Sequence, residues 1–100
     1  MIHLDMKGAP PKFEFLERLL KFISAHFKHL VNGVIIEFED MFPFTGFLSQ
    51  INSPNCYSKE QIQQLGSLCK NLGLKFSVLI QTFGHMEYVL KHSRFENYRE

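Results

Sequence analysis

Residues 33–38 read GVIIEF, and this short run decides the fold. The three β-branched residues 34–36 follow one another without interruption, which is typical of a strand buried on both faces of a parallel sheet. The Asn-Gly pair at 32–33 tolerates positive φ and predicts the end of a preceding helix. The acidic pair Glu39 and Asp40 follows the strand and begins an irregular aromatic loop.

Helical and strand patterns flank this run on both sides. Apolar residues at helical spacing predict a helix over 12–30. A second helix is expected to begin with a capping box at Ser58 and Gln61 and to end at Gly73. Further strands are predicted at 2–4, ending at Asp5, and at 74–80, with a last helical stretch at 86–92. The apolar stripe of the first helix consists of Leu16, Leu19, Leu20, Ile23, Phe27 and Leu30. The phenylalanines expected in the core are Phe13, Phe15, Phe22, Phe27, Phe38 and Phe76.

The order of these elements, β-α-β-α-β-α, predicts an α/β fold with parallel strands and right-handed crossovers. The spacing suits either a (β/α) barrel or an open doubly wound sheet. Neither the G-x-G-x-x-G fingerprint nor a phosphate-binding loop occurs, which disfavours nucleotide binding.

The composition is that of an ordinary globular domain. The 100 residues include 11 Lys and Arg against 10 Asp and Glu, giving a net charge of +1, and 45% of the residues are apolar. The apolar content disfavours disorder. The lack of excess positive charge disfavours a nucleic-acid partner, and no apolar run approaches the roughly 20 residues that a membrane span needs. A length of 100 allows one small domain at most.

Two cysteines, Cys56 and Cys69, lie 13 residues apart without a CxxC pair. This spacing predicts neither a disulfide scaffold nor a metal site. No secretory signal is recognised at the start of the sequence. Free thiols favour a reducing compartment, so we expect a cytoplasmic protein, with the nucleus as a second location.

Polar side chains follow each predicted strand. The carboxyl ends of parallel strands are where active sites of α/β proteins lie, so these groups predict one polar cleft. They are Asp5 with Lys7 after the first strand, Glu37, Glu39 and Asp40 after the second, and Gln81, His85 and Glu87 after the third.

Each cluster has two interpretations. Asp5 either caps a turn or contributes to the site. Glu39 and Asp40 either begin a solvated loop or form a mutually repelling pair, of which at least one has a raised pKa suited to acid–base work. His85 either caps the last helix or is aimed into the cleft by the sharp turn that Gly84 permits.

The loop after the second strand is rich in aromatic residues. Phe42, Phe44 and Phe47 lie beside the acidic pair. Rings beside carboxylates suit sugar binding, because C–H faces stack on the rings while hydroxyls reach the acids. The alternative is a loop that folds its rings into a small core.

Three motifs resemble the D-type β-N-acetylhexosaminidases of glycoside hydrolase family 20. They are HLDMKGAPP at 3–11, IEFEDMFPF at 36–44 and QTFGHME at 81–87. The resemblance implies a (β/α)8 TIM barrel, of which only the first three βα units are present. Residues 1–100 would then be the N-terminal portion of a catalytic barrel and not a complete domain.

The same resemblance implies an activity. Such enzymes remove terminal N-acetylgalactosamine or N-acetylglucosamine from glycans by a substrate-assisted retaining mechanism, without cofactor or metal. Their catalytic Asp-Glu pair ends the fourth strand, which we expect beyond Glu100, so this chain alone would lack a catalytic residue and be inactive. The alternative is a truncated, non-enzymatic fragment that binds carbohydrate or a partner.

The resemblance also implies supporting roles for residues that are present. His85 matches the histidine that holds the catalytic Glu in place. Asp40, or else Glu39, matches the acidic residue that contacts this histidine. Weaker expectations assign substrate contacts to residues at the rim, namely Phe42, Phe44 and Glu87.

Overall fold

A computed structural model describes residues 1–99, and Glu100 lies outside the described residues. The order β-α-β-α-β-α is confirmed. The strands are β1 (Ile2–Asp5), β2 (Gly33–Glu37) and β3 (Lys75–Leu79), and the helices are α1 (Phe13–Phe27), α2 (Lys59–Asn71) and α3 (Glu87–Leu90). Short 3-10 turns cover Glu39–Met41, Gly46–Ile51 and Ser93–Tyr98.

The three strands form one parallel sheet in the order β1-β2-β3. Its register places Leu4, Ile36 and Val78 side by side in one row, and Asp5, Glu37 and Leu79 in the next. Because side chains alternate along a strand, these two rows point to opposite faces of the sheet. The parallel α/β architecture predicted from the sequence is therefore present.

One face of the sheet carries the core. Val34 and Ile36 of β2 are fully buried against Leu16 and Leu20 of α1 and Leu65 of α2. On the other face the side chains of the strands are less enclosed by the described residues. The expected burial of β2 on both faces is therefore wrong for Ile35, which is only half-buried.

Helix α1 is shorter than predicted and exposes several residues expected in the core. It ends at Phe27, not at residue 30, and Leu30 is 82% exposed. Phe15 and Phe22 are half exposed. Their side of the helix points away from α2, which meets the opposite flank: Ser24 Oγ donates to the carbonyl of Leu72 at 3.3 Å.

The Asn-Gly pair at 32–33 does not end the preceding helix, because α1 already ends at Phe27 with Lys28 as its C-cap. Gly33 begins β2 and lacks positive φ. A Cβ at this position would lie 2.7 Å from both Cβ and O of Lys75, so the close approach of β2 and β3 requires glycine. Gly73, in contrast, ends α2 with φ +71°, as predicted.

The start of α2 is also confirmed. Ser58 Oγ accepts the N–H of Gln61 at 3.1 Å, and Gln61 Oε1 accepts the N–H of Ser58 at 2.8 Å. These two bonds satisfy backbone donors that would otherwise lack partners at the helix N-terminus. The capping box thus fixes where α2 leaves the aromatic loop.

The last helix, the two cysteines and the hydropathy of the helices complete the description of the fold. Helix α3 covers four residues of the stretch predicted at 86–92. Cys56 and Cys69 are free thiols, as expected. Within the part of the chain that the structure describes, helices lack the combined length and apolar character of a membrane span.

Replacing Gly33 by alanine should destabilise the protein by about 1–3 kcal/mol, because the new Cβ forces β2 away from β3. The matched control is Gly66→Ala, inside α2. A Cβ there meets Phe76 at an ordinary 3.7 Å, and helix propensity favours alanine by about 1 kcal/mol. Chemical denaturation of both variants measures the difference. Equal effects of the two substitutions would contradict the proposed close approach.

The chain should self-associate in solution. Within residues 1–99, β1 and β3 each pair with one strand only, and open strand edges promote association. The half-exposed Phe15 and Phe22 add apolar surface. Light scattering after size-exclusion chromatography should show oligomers of the unchanged chain. The double variant Phe15→Glu/Phe22→Glu should form a smaller fraction of oligomers. A monomer with a sharp cooperative melt would contradict this expectation.

Candidate functional site

A polar cavity of about 310 Å³ lies beyond the carboxyl ends of β1 and β2. Four segments surround it: the loop after β1, the 3-10 turn after β2, the loop before α2, and α3. Its lining residues are Lys7, Gly8, Glu39, Asp40, Met41, Ser53, Asn55, Tyr88 and Lys91. The sequence predicts a polar cleft at this end of the sheet, and the cavity lies there.

The carboxylates reach the cavity because the chain turns sharply where β2 ends. Glu39 has φ +48°, a left-handed conformation that costs a non-glycine residue free energy. The turn is held by the buried ring of Phe38 and by backbone bonds, including Ser53 N–H to the carbonyl of Asp40 at 2.7 Å. Within residues 1–99, His85 is the other non-glycine residue with positive φ, at +50°.

Both carboxylates are buried, and each meets a different lysine. Lys7 Nζ lies 3.5 Å from Glu39 Oε1, and Lys91 Nζ lies 2.6 Å from Asp40 Oδ2. Both lysine side chains are about half exposed, so they reach in from the rim. Each carboxylate of the acidic pair thus has its own cation beside it.

The pKa of Glu39 is raised above its ordinary value of 4.5 because burial disfavours the charged carboxylate. Lys7 opposes this rise, while Glu37 and Asp5 add to it. Burial also raises the pKa of the Tyr88 hydroxyl, and the charge of Glu39 adds to that rise. Glu39 therefore takes up a proton more readily than an exposed glutamate.

A second polar row lies on the face opposite the core and joins β1, β2 and the segment directly after β3. His3 Nε2 and Glu37 Oε2 are 2.7 Å apart, and Gln81 Nε2 donates to Glu37 Oε1. The other amide atom, Gln81 Oε1, is buried without a hydrogen-bond partner among the described residues. Glu37 therefore links the ends of β1 and β3, a role that the sequence analysis did not assign to it.

The interpretation of Asp5 as a turn cap agrees with the structure. Its Oδ1 accepts the N–H of Lys7 at 2.8 Å, and the residue is exposed. This bond shapes the turn that carries Lys7 toward Glu39.

His85 is exposed and lies apart from the carboxylates. In the described part of the chain, Asp40 pairs with Lys91, and neither Asp40 nor Glu39 has a hydrogen bond to His85. The expected contact between the acidic pair and His85 is thus not formed. Glu87, in the first turn of α3, is exposed beside His85 and lines a shallow groove with it.

The phenylalanines of the aromatic loop do not all fit the same interpretation, whether as sugar-binding rings or as a small core. Phe42 and Phe44 are half-buried, and their rings pack against each other at 5.0 Å between centroids. Both rings also contact core residues, which supports the small-core alternative for them. Phe47 is 60% exposed, with the Arg94 guanidinium 4.6 Å from its ring centroid.

Among the cavity residues that the sequence did not point to are Tyr88 of α3 and Lys91 at its C-cap. They are three positions apart on α3 and therefore share one face. In the sequence, the three-residue spacing of Tyr88 and Lys91 just after the turn at 81–85 could have suggested a shared face. It does not reveal that Lys91 contacts Asp40. Among residues 1–99, no group of three or more His, Cys, Asp or Glu side chains is arranged to hold a metal ion.

Comparison with known proteins extends these observations. No family model matches the chain. Human hexosaminidase D is 42% identical to it over all 100 residues, and bovine hexosaminidase D is 41% identical over the same length.

The chain resembles hexosaminidase D from end to end. The family resemblance inferred from the three motifs is thereby confirmed, and it is a resemblance to a glycosidase. The chain spans only 20% of the human relative and 28% of the bovine one.

Replacing Glu39 by glycine should give a more stable protein than replacing it by alanine. Both changes remove the carboxylate, but only glycine adopts φ +48° without strain. The expected difference in the free energy of unfolding is about 1 kcal/mol. Denaturation of the two variants measures it. Equal stability would mean that the turn relaxes to another backbone conformation.

Proposed function

We propose that the chain is the N-terminal portion of a β-N-acetylhexosaminidase that removes terminal N-acetylgalactosamine or N-acetylglucosamine from glycans. The observation that carries this proposal is the 42% identity to human hexosaminidase D over all 100 residues. The polar cavity at the carboxyl ends of β1 and β2 supports it, because glycosidases need carboxyl groups in a cleft.

The proposal includes a (β/α)8 barrel, of which these residues form the first three βα units. The consecutive strand order and the helices packed on one face suit such a barrel. The opposite face, with His3, Glu37 and Gln81, would then line the barrel interior near its carboxyl-terminal mouth. An open sheet remains the alternative.

In this proposal the reaction is substrate-assisted. The acetamido oxygen of the substrate attacks the anomeric carbon as the glycosidic C–O bond breaks, and a glutamic acid protonates the leaving oxygen. Water then attacks the anomeric carbon, displaces the acetamido oxygen and returns a proton to the glutamate. That glutamic acid and its aspartate partner come from sequence outside these 100 residues. The chain itself supplies His85, which would orient the catalytic acid, and the carboxylates of Asp40 and Glu39, which line the cavity and are held by Lys91 and Lys7.

A transplant tests this proposal. The segment of human hexosaminidase D that matches the chain is replaced by residues 1–100, and hydrolysis of an aryl N-acetyl-β-galactosaminide is measured. We expect the chimera to be active. His85→Ala in the chimera should lower kcat by about 10²-fold, because an orienting group for the acid is lost.

The matched control is His29→Ala, an exposed histidine after α1, which should leave kcat unchanged. A folded but inactive chimera, or equal effects of the two histidine variants, would contradict the proposal.

The 100-residue chain alone should show no turnover of the same substrate. Turnover would contradict the assignment of the catalytic pair to sequence outside these residues. Saturable binding of N-acetylgalactosamine by the chain, together with an inactive chimera, would instead favour the non-enzymatic binding fragment.

A further inference from the structure

Lys91 makes the shortest ion pair to the carboxylates of the cavity. Its Nζ lies 2.6 Å from Asp40 Oδ2, whereas Lys7 lies 3.5 Å from Glu39. The Asp40 side chain is 13% exposed and that of Lys91 is 54% exposed. Lys91 thus reaches from the solvent-facing rim to a carboxylate that has little contact with water.

The charges around Asp40 make this contact consequential. The charged and titratable groups facing it are Glu39 from its own turn, Lys7 from the loop after β1, and Tyr88 and Lys91 from α3. Lys7 pairs with Glu39, so without Lys91 the Asp40 carboxylate would lose the cation that it contacts. Removing one partner of a buried ion pair leaves an uncompensated charge, which moves the remaining side chain or the segment that carries it.

Lys91 connects two parts of the cleft, namely the segment of α3 with the turn before it and the end of β2. It caps the C-terminus of α3, and its N–H donates to the carbonyl of Glu87 at 2.9 Å. The turn that carries Gln81 and His85 precedes α3 directly. Tyr88, one turn earlier on α3, donates to the carbonyl of Gln81 at 3.3 Å. A bond from Lys91 to Asp40 therefore ties this segment to the end of β2.

We propose that Lys91 is a positioning residue: through its ion pair with Asp40 it fixes the acidic pair and holds the turn that carries His85 at the end of β2. The catalytic consequence rests on the proposed function. Lys91 acts through Asp40 and does not touch the substrate, so its loss should lower kcat and leave KM nearly unchanged.

The first experiment uses the hexosaminidase D chimera described above. Lys91→Met removes the charge and keeps the length of the side chain, and it should lower kcat by about 10–100-fold, the size expected for loss of one charge-assisted hydrogen bond. Lys91→Arg should restore most of kcat, because it restores the cation. Lys70→Met, an exposed lysine of α2, is the matched control and should change nothing.

A double substitution tests whether Lys91 acts through Asp40. Asp40→Asn combined with Lys91→Met should lower kcat no further than Asp40→Asn alone, because the shared interaction is already lost. Multiplicative losses would overturn the inference. If Lys91→Met does not fold, Lys91→Gln, which keeps a donor without the charge, replaces it with the same expectations.

The second experiment needs no activity. Amide hydrogen exchange is measured over residues 81–91 in the 100-residue chain. Lys91→Met should accelerate exchange there by about tenfold, because a charge-assisted bond that restrains the segment is gone. Lys70→Met should not.

The two experiments separate the two proposals. An inactive chimera with Lys91 unchanged means that the proposed function fails, and hydrogen exchange then decides on Lys91 by itself. The inference is overturned if exchange over residues 81–91 is the same in both lysine variants. It is equally overturned if an active chimera responds to Lys91→Met as it does to Lys70→Met, or if arginine fails to restore kcat.

Discussion

Strand β2 pairs with both of its neighbours, and the position of every other element depends on this pairing. Val34 and Ile36 are fully buried between the sheet and its two long helices. Burying two such side chains contributes about 3–6 kcal/mol before the entropy of folding is counted. The same strand ends at Glu37, so the forces that hold it in the sheet also determine where Glu37, Glu39 and Asp40 lie.

Much of the fold could be predicted because the local patterns and the tertiary packing agree. The capping box at Ser58 and the end of α2 at Gly73 follow from short-range chemistry, and both are present. The burial of the phenylalanines of α1 was harder to predict. Helical spacing shows that Phe15 and Phe22 share a flank, but it does not show which flank of the helix is covered.

The sequence predicts that the site lies at the carboxyl ends of the strands, but it does not predict which side chains contact each other there. Parallel strands bring their carboxyl ends to one edge, so Glu39, Asp40 and the turn at 81–85 could be expected near one another. The ion pair between Asp40 and Lys91 links residues 51 positions apart, and no spacing in the sequence reveals it. The bonding role of Glu37 was hidden for a related reason, since its partner His3 lies in β1 and its partner Gln81 follows β3.

The separation between Asp40 and Lys91 also bears on the order of events during protein synthesis. A ribosome completes Asp40 and Glu39 long before it reaches Lys91, so a growing chain exposes this acidic pair with one of its two cations missing. Early docking of β1 against β2 brings Lys7 alone to the pair. Only arrival of the third βα unit completes the charge balance, so the cleft matures after the scaffold that carries it. A chain that ends before residue 91 therefore lacks the cation that pairs with Asp40, whatever part of the sheet it has formed.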